Sequence, residues 1–121
     1  VNDMGMGAVV VGDSSSLQQG SQAILDAAEA LGAPAATPLV MMGHSRGAKL
    51  AVLAAARSAR PVAAMVLLDP VDATPFERDS VMPTLSALTV PTAVIGAFNG
   101  GDCAPTNYEC FYESLAHSAS P

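Results

Sequence analysis

LVMMGHSRG, residues 39–47, is the stretch on which the reading of this 121-residue chain turns. An apolar run of strand character ends in Gly43-His44-Ser45-Arg46-Gly47, and an Ala- and Leu-rich helical stretch follows at once. Strand, sharp turn and helix around G-x-S-x-G form the pattern of a nucleophile elbow, in which a strained turn lifts a serine hydroxyl to the top of a sheet. The turn is tight enough that the residues two before and two after the serine are expected to be glycine, because a larger side chain would collide across it. Ser45 is therefore the candidate nucleophile for acyl transfer. The plainer alternative is an ordinary strand-to-helix loop with Ser45 as helix N-cap, a position that serine favours. The strand before the motif and the helix after it favour the elbow.

Working outward, residues 8–12 (AVVVG) read as a short buried strand rich in Val. Ser14, Ser15 and Ser16 are candidate helix caps. Residues 17–31 have helical periodicity, with Leu17, Ile24, Ala28 and Leu31 on one face. Gly32 fits the position just past the helix end, and Pro34 prevents continuation. The second strand is expected over 39–42, and a helix over 46–57 whose Ala48, Ala51, Ala54 and Ala55 would let it lie close to a sheet. A third strand is expected over 63–68 and a polar loop over 74–80. One or two helical turns follow over 81–88, a fourth strand over 90–97, a Gly-rich loop over 98–106 and a short helix over 107–116. Pro91 is tolerable at the start of its strand.

Strands alternate with helices, and each strand is a continuous apolar run. The expectation is an α/β domain with a mostly parallel sheet flanked by helices on both faces. Ligands gather at the carboxyl ends of the strands of such sheets. Ser45, Asp69, Asp72 and Asp102 all lie just past strand ends, on that one rim.

A serine hydroxyl is not ionised at neutral pH and needs a base. That base is normally a histidine oriented by a carboxylate, in the chain order Ser, Asp or Glu, His. Asp69 and Asp102 both satisfy the second place, each with the commoner alternative of a loop Asp that turns or caps the backbone. The amide of Arg46, directly after the nucleophile and opening a helix, is the candidate oxyanion donor. A second donor is expected from a loop after an earlier strand that residues 1–121 do not contain. His44 neighbours Ser45, but its side chain is expected to point to the flank of the elbow and to pack there. His117 follows both acids, at the end of a short helix with no strand between, which ranks it low as the base. The base is expected beyond Pro121. The Arg46 side chain is expected in a structural ion pair with a nearby carboxylate. Met41 and Met42 are expected in the core, with the lining of an adaptable apolar pocket as the alternative.

Eleven acids against five bases (Arg46, Lys49, Arg57, Arg60 and Arg78) leave a net charge of −6 with no basic stripe, which argues against a nucleic-acid partner. No apolar stretch reaches the length of a membrane span, and no signal peptide is visible. Cys103 and Cys110 lack the paired spacing of a zinc site and read as free thiols, with a local disulfide as the alternative; no metal and no other cofactor is expected. The chain opens at Val1 within globular sequence and stops at Pro121 without an obvious final element. It is expected to be a single partial domain over 1–121, with the first strands and a C-terminal strand and His loop missing.

Four segments are similar to chlorophyllase, a serine esterase family of the α/β-hydrolase superfamily. GHSRG at 43–47, followed by Ala48-Lys49, resembles the family's GHSRGGK motif, with Ala48 in place of a second Gly. LLDPVDA at 67–73 resembles its LDPVDG segment, and PTAVIG at 91–96 the strand that leads to its late loop. DCAP at 102–105, followed by Asn107, Tyr108, Glu109 and Phe111, resembles its CAP segment and the next helix. The resemblance implies a partial α/β-hydrolase fold and a cofactor-free esterase that cleaves the phytyl ester of chlorophyll to chlorophyllide and phytol. It implies Ser45 as nucleophile, Asp69 rather than Asp102 as acid, and a place in the chloroplast. The family's catalytic His lies in a Gly-His loop after the CAP segment, which no residue here matches, and a chain without it is expected to hydrolyse esters poorly. The alternatives are a carboxylesterase, lipase or cutinase acting on another small ester, and a non-catalytic hydrolase-like fragment.

Overall fold

A computed structural model of the chain describes residues 7–8, 11–12, 16–72, 77–96 and 107–116. The first helix, α1 (Leu17–Ala30), starts where Ser16 takes an extended backbone and its Oγ accepts the amide of Gln19 at 3.0 Å. Of the three candidate serines, Ser16 thus performs the capping that frees a helix start from an unmet donor. The helix stops at Gly32, whose φ of +71° suits glycine, and whose amide returns to Glu29 O at 3.0 Å.

Three parallel strands follow in the order β1 (Leu39–His44), β2 (Val62–Leu68) and β3 (Thr92–Ile95). Helix α2 (Arg46–Arg57) joins the first two, and α3 (Met82–Ala87) precedes the third. Helix α4 (Asn107–Ala116) comes last. The bounds of α2 and α4 coincide with the sequence expectation, while β1 runs on to His44 and β3 is half the expected length. Pro91 accounts for the late start of β3: it has no amide to donate, and its carbonyl opens the ladder by accepting Met65 N at 2.9 Å. In the strand expected over 8–12, Val9 and Val10 lie outside the described residues, and Ala8, Val11 and Gly12 have no strand geometry.

Alternation along each strand decides what it buries. Met41 and Gly43 of β1 and Met65 and Leu67 of β2 point to one face. There Ala48, Ala51, Val52, Ala54 and Ala55 of α2 pack with Val81, Leu85 and Phe111 to form the core. The alanines bring α2 onto the sheet as expected. Behind it, a Cβ on Gly20 of α1 would stand 2.8 Å from the Leu50 side chain, so the two helices nearly touch.

Two expectations are corrected by the other face. Val40 and Met42 are 60% and 62% exposed and Ile95 is 55% exposed, so among the described residues helices cover one side of the sheet, not both. Met42 therefore stands outside the core, while Met41 lies in it. Chain handedness supplies the reason. Parallel strands joined by right-handed crossovers that advance in one direction, β1 to β2 to β3, place every connecting helix on the same face.

Candidate functional site: the turn after β1

Ser45 has φ 55° and ψ −124°, a backbone conformation that a side chain with a Cβ rarely adopts. It occupies the N-cap position of α2, yet its side chain makes no capping hydrogen bond. This separates the two readings of the motif. A capping serine has extended backbone, as at Ser16, and spends its oxygen on the helix amides; Ser45 does neither. Its own backbone is instead held from three sides. Ser45 N donates to Leu68 O at 3.0 Å, and Ser45 O accepts Ala48 N at 3.1 Å and Val71 N at 3.3 Å. Such a conformation costs about 1–3 kcal/mol and persists where its surroundings over-determine it.

The glycine expectation splits in two. A Cβ on Gly43 would lie 2.3 Å from Gly47 O and 2.6 Å from Ala48 Cα, both backbone, so only glycine fits. A Cβ on Gly47 would meet nothing within 4 Å. The collision across the turn runs from the strand side alone, because the Cα–Cβ direction at 43 points into the first turn of α2 and that at 47 points out of it.

The register pairs His44 with Leu68, so Ser45 and Asp69 leave the sheet abreast on adjacent strands, about 4.8 Å apart by sheet spacing. Asp69 is half-buried, and it is the only other described non-glycine residue with positive φ, 43°. Its amide donates to Ile95 O at 2.6 Å, which ties its turn to the third strand. Asp72 is placed differently. It is buried, and it accepts Ser80 Oγ at 2.6 Å and Val81 N at 2.8 Å, bonds that anchor the start of α3. Those bonds give Asp72 the structural role of a loop Asp. Asp102 and His117 lie outside the described residues. His44 is exposed on the face opposite the helices, with Val40 and Met42.

The Arg46 amide is the first of α2, one of the four that helix geometry leaves without an intrahelical acceptor, at the positive end of the dipole. The Arg46 side chain turns away to Glu77, with Nε at 3.0 and 3.2 Å and Nη2 at 2.8 Å from its carboxylate. The expected carboxylate partner is thus Glu77. Sequence reasoning missed the third member. Lys49, one turn along the same side of α2, is fully buried, with Nζ 3.3 Å from Glu77 Oε1 and 2.5 Å from Asp79 O. Burial alone would raise the Glu77 pKa, but hydrogen bonds from Arg46 and Lys49, and their charges, hold it below the usual glutamate range. Arg46 and Lys49 at i, i+3 were the available signal for a shared acid.

A cavity of about 240 Å³ lies elsewhere. Leu39, Asp26, Glu29, Arg57 and Arg60 line it, at the start of β1 and about 20 Å along the strand from Ser45. Arg57 binds Ser21 and Gln22 of α1, and Arg60 binds Glu29, so these bases brace the fold. No described helix is long and apolar enough to cross a membrane, and no cluster of metal-ligating side chains occurs among the described residues. Comparison with protein-family models, with curated proteins and with solved structures finds no match to this chain, which leaves the geometry around Ser45 as the ground for a functional reading.

Proposed function

We propose that Ser45 is the nucleophile of a serine esterase, of the chlorophyllase type to which the GHSRG and DPVD segments are similar. One observation carries this: a serine at a helix start that takes a strained backbone and leaves its hydroxyl out of capping. The reaction follows from that placement. The Ser45 Oγ–C bond forms at the ester carbonyl as the hydroxyl proton passes to a histidine base. Negative charge gathers on the carbonyl oxygen, where the Arg46 amide donates. The C–O bond to the alcohol breaks, and the imidazolium returns the proton to the leaving alkoxide, which departs as phytol for a phytyl ester. Water then repeats the sequence on the acyl-enzyme and releases the acid. Asp69, level with Ser45 on the next strand, orients the histidine and stabilises its charged form. That histidine follows the acid in the chain. His117 is the one within residues 1–121, and the chlorophyllase resemblance puts it in a later Gly-His loop.

The test is covalent labelling with a fluorophosphonate, peptide mapping of the adduct, and hydrolysis of chlorophyll a beside short p-nitrophenyl esters. An adduct on Ser45, lost in Ser45→Ala, is expected; residues 1–121 alone are expected to release little chlorophyllide, and Ser45-dependent turnover by them would assign the base to His117. Hydrolysis that survives Ser45→Ala would sink the esterase reading. Turnover of short esters but not of chlorophyll would shift the substrate to a general carboxylic ester.

A further inference from the structure

Glu77 closes a ring of bonds around the Ser45 turn. Val71 N donates to Ser45 O, and Asp72, the next residue, accepts Ser80 Oγ and Val81 N. Asp79 O accepts the Lys49 ammonium, and Glu77 accepts both Lys49 and Arg46, which follows Ser45 directly. The ring thus runs from Ser45 through the turn that begins at Asp69, along residues 77–81, and back to the first turn of α2. Its members come from segments about thirty residues apart, so local helix propensity cannot supply it. The chemistry at Glu77 is specific. The planar Arg46 fork needs two carboxylate oxygens, and a fully buried ammonium needs an opposite charge beside it.

Resting on the esterase reading above, we infer that Glu77 is a positioning residue of the nucleophile turn. It touches no substrate. By holding Arg46 and Lys49 it sets the rotation of the first turn of α2 against the Asp69 strand end, and with it the direction of the Arg46 amide. Oxyanion stabilisation depends on donors placed within a few tenths of an ångström before the charge develops. A carboxylate that grips the residue carrying the donor meets that need.

The experiment uses the full chain and three variants: Glu77→Gln, Glu77→Asp, and the double variant Glu77→Gln with Lys49→Met. The double variant removes the buried charge together with its partner, so the fold keeps its stability while the grip on Arg46 is lost. Amide hydrogen exchange at Ser45, Ala48 and Val71, whose bonds hold the turn, is read beside exchange in α1, together with the rate of fluorophosphonate labelling at Ser45. Expected in the double variant are at least tenfold faster exchange at Ser45, Ala48 and Val71, unchanged exchange in α1, and tenfold slower labelling at an unchanged Tm. Glu77→Asp is expected to recover part of both. Wild-type exchange at Ser45, Ala48 and Val71 in both glutamine variants overturns the positioning role. Absence of labelling in the wild type counts against the esterase, and the exchange measurement then decides the fate of the ring by itself.

Discussion

Each end of the sheet is held by an arginine on a glutamate, and the two pairs are built for different purposes. At the end where β1 begins, Arg60 is buried and Glu29 is largely exposed. Arg60 also donates to Ala33 O at 2.9 Å and Pro34 O at 2.5 Å, so its charge is solvated by carbonyls whatever Glu29 does. At the end where β1 finishes, Arg46 and the buried Lys49 share Glu77, which is itself half-buried. The backbone differs in the same sense. The first end turns on Gly32, a residue suited to positive φ, whereas the second places Ser45 and Asp69 there. Ordinary turn chemistry closes one end, and strain held by a shared carboxylate closes the other. Strain concentrated at Ser45 and Asp69, side by side, is what the proposed preorganised site would require.

The comparison can be broken most directly at the two glycines. Gly43→Ala drives a Cβ into backbone and is expected to cost about 3 kcal/mol or more, read by chemical denaturation. Gly47→Ala meets open space on a helix and is expected to stabilise by about 0.5–1 kcal/mol. Equal effects at the two positions would contradict the one-sided collision.

The glutamates provide the next contrast. Glu77→Gln leaves the Lys49 ammonium uncompensated and is expected to cost about 2 kcal/mol, less than a fully buried pair because Glu77 is partly exposed. Glu29→Gln is expected to leave the melting temperature unchanged. Ser45→Gly sharpens the strain argument. It is expected to raise stability by about 1 kcal/mol while abolishing fluorophosphonate labelling, because glycine accepts a φ of 55° without penalty. Unchanged stability would mean that the turn is not strained.

The smallest effect is one of pH. Glu77 has its pKa lowered in the fold, so its contribution is complete above the unfolded glutamate value and disappears as pH falls through the lower folded value. Thermal melts from neutral to strongly acidic pH should show that loss, and Glu77→Gln should flatten it. Among the described residues, the Arg46 guanidinium and the Lys49 ammonium face this carboxylate.

Much of the fold lies within reach of short-range patterns. Helices α2 and α4 and the three described strands stand where periodicity, Gly32 and the prolines place them. Gly43 could be read as obligatory because its collision is with a residue four places on. The choice of Ser16 among three candidate caps and the run of β1 past Met42 to His44 were left open or missed by the letters and were decided by backbone geometry over a single turn.

Other features were beyond that reach. A continuous apolar strand reads as buried on both faces, yet strand order and crossover hand decided that the described helices gather on one. Asp69 and Asp72 are three residues apart in one loop and look alike as acids; only the position of Ser80 and Val81 drew Asp72 into the frame. Lys49 carries no local sign of burial, and Glu77 none of its two cationic partners. The division is physical. Periodicity, capping and turn sterics act within about four residues and are written in neighbouring letters, whereas a charge chooses its partner only after the chain has brought distant segments together and excluded water from between them.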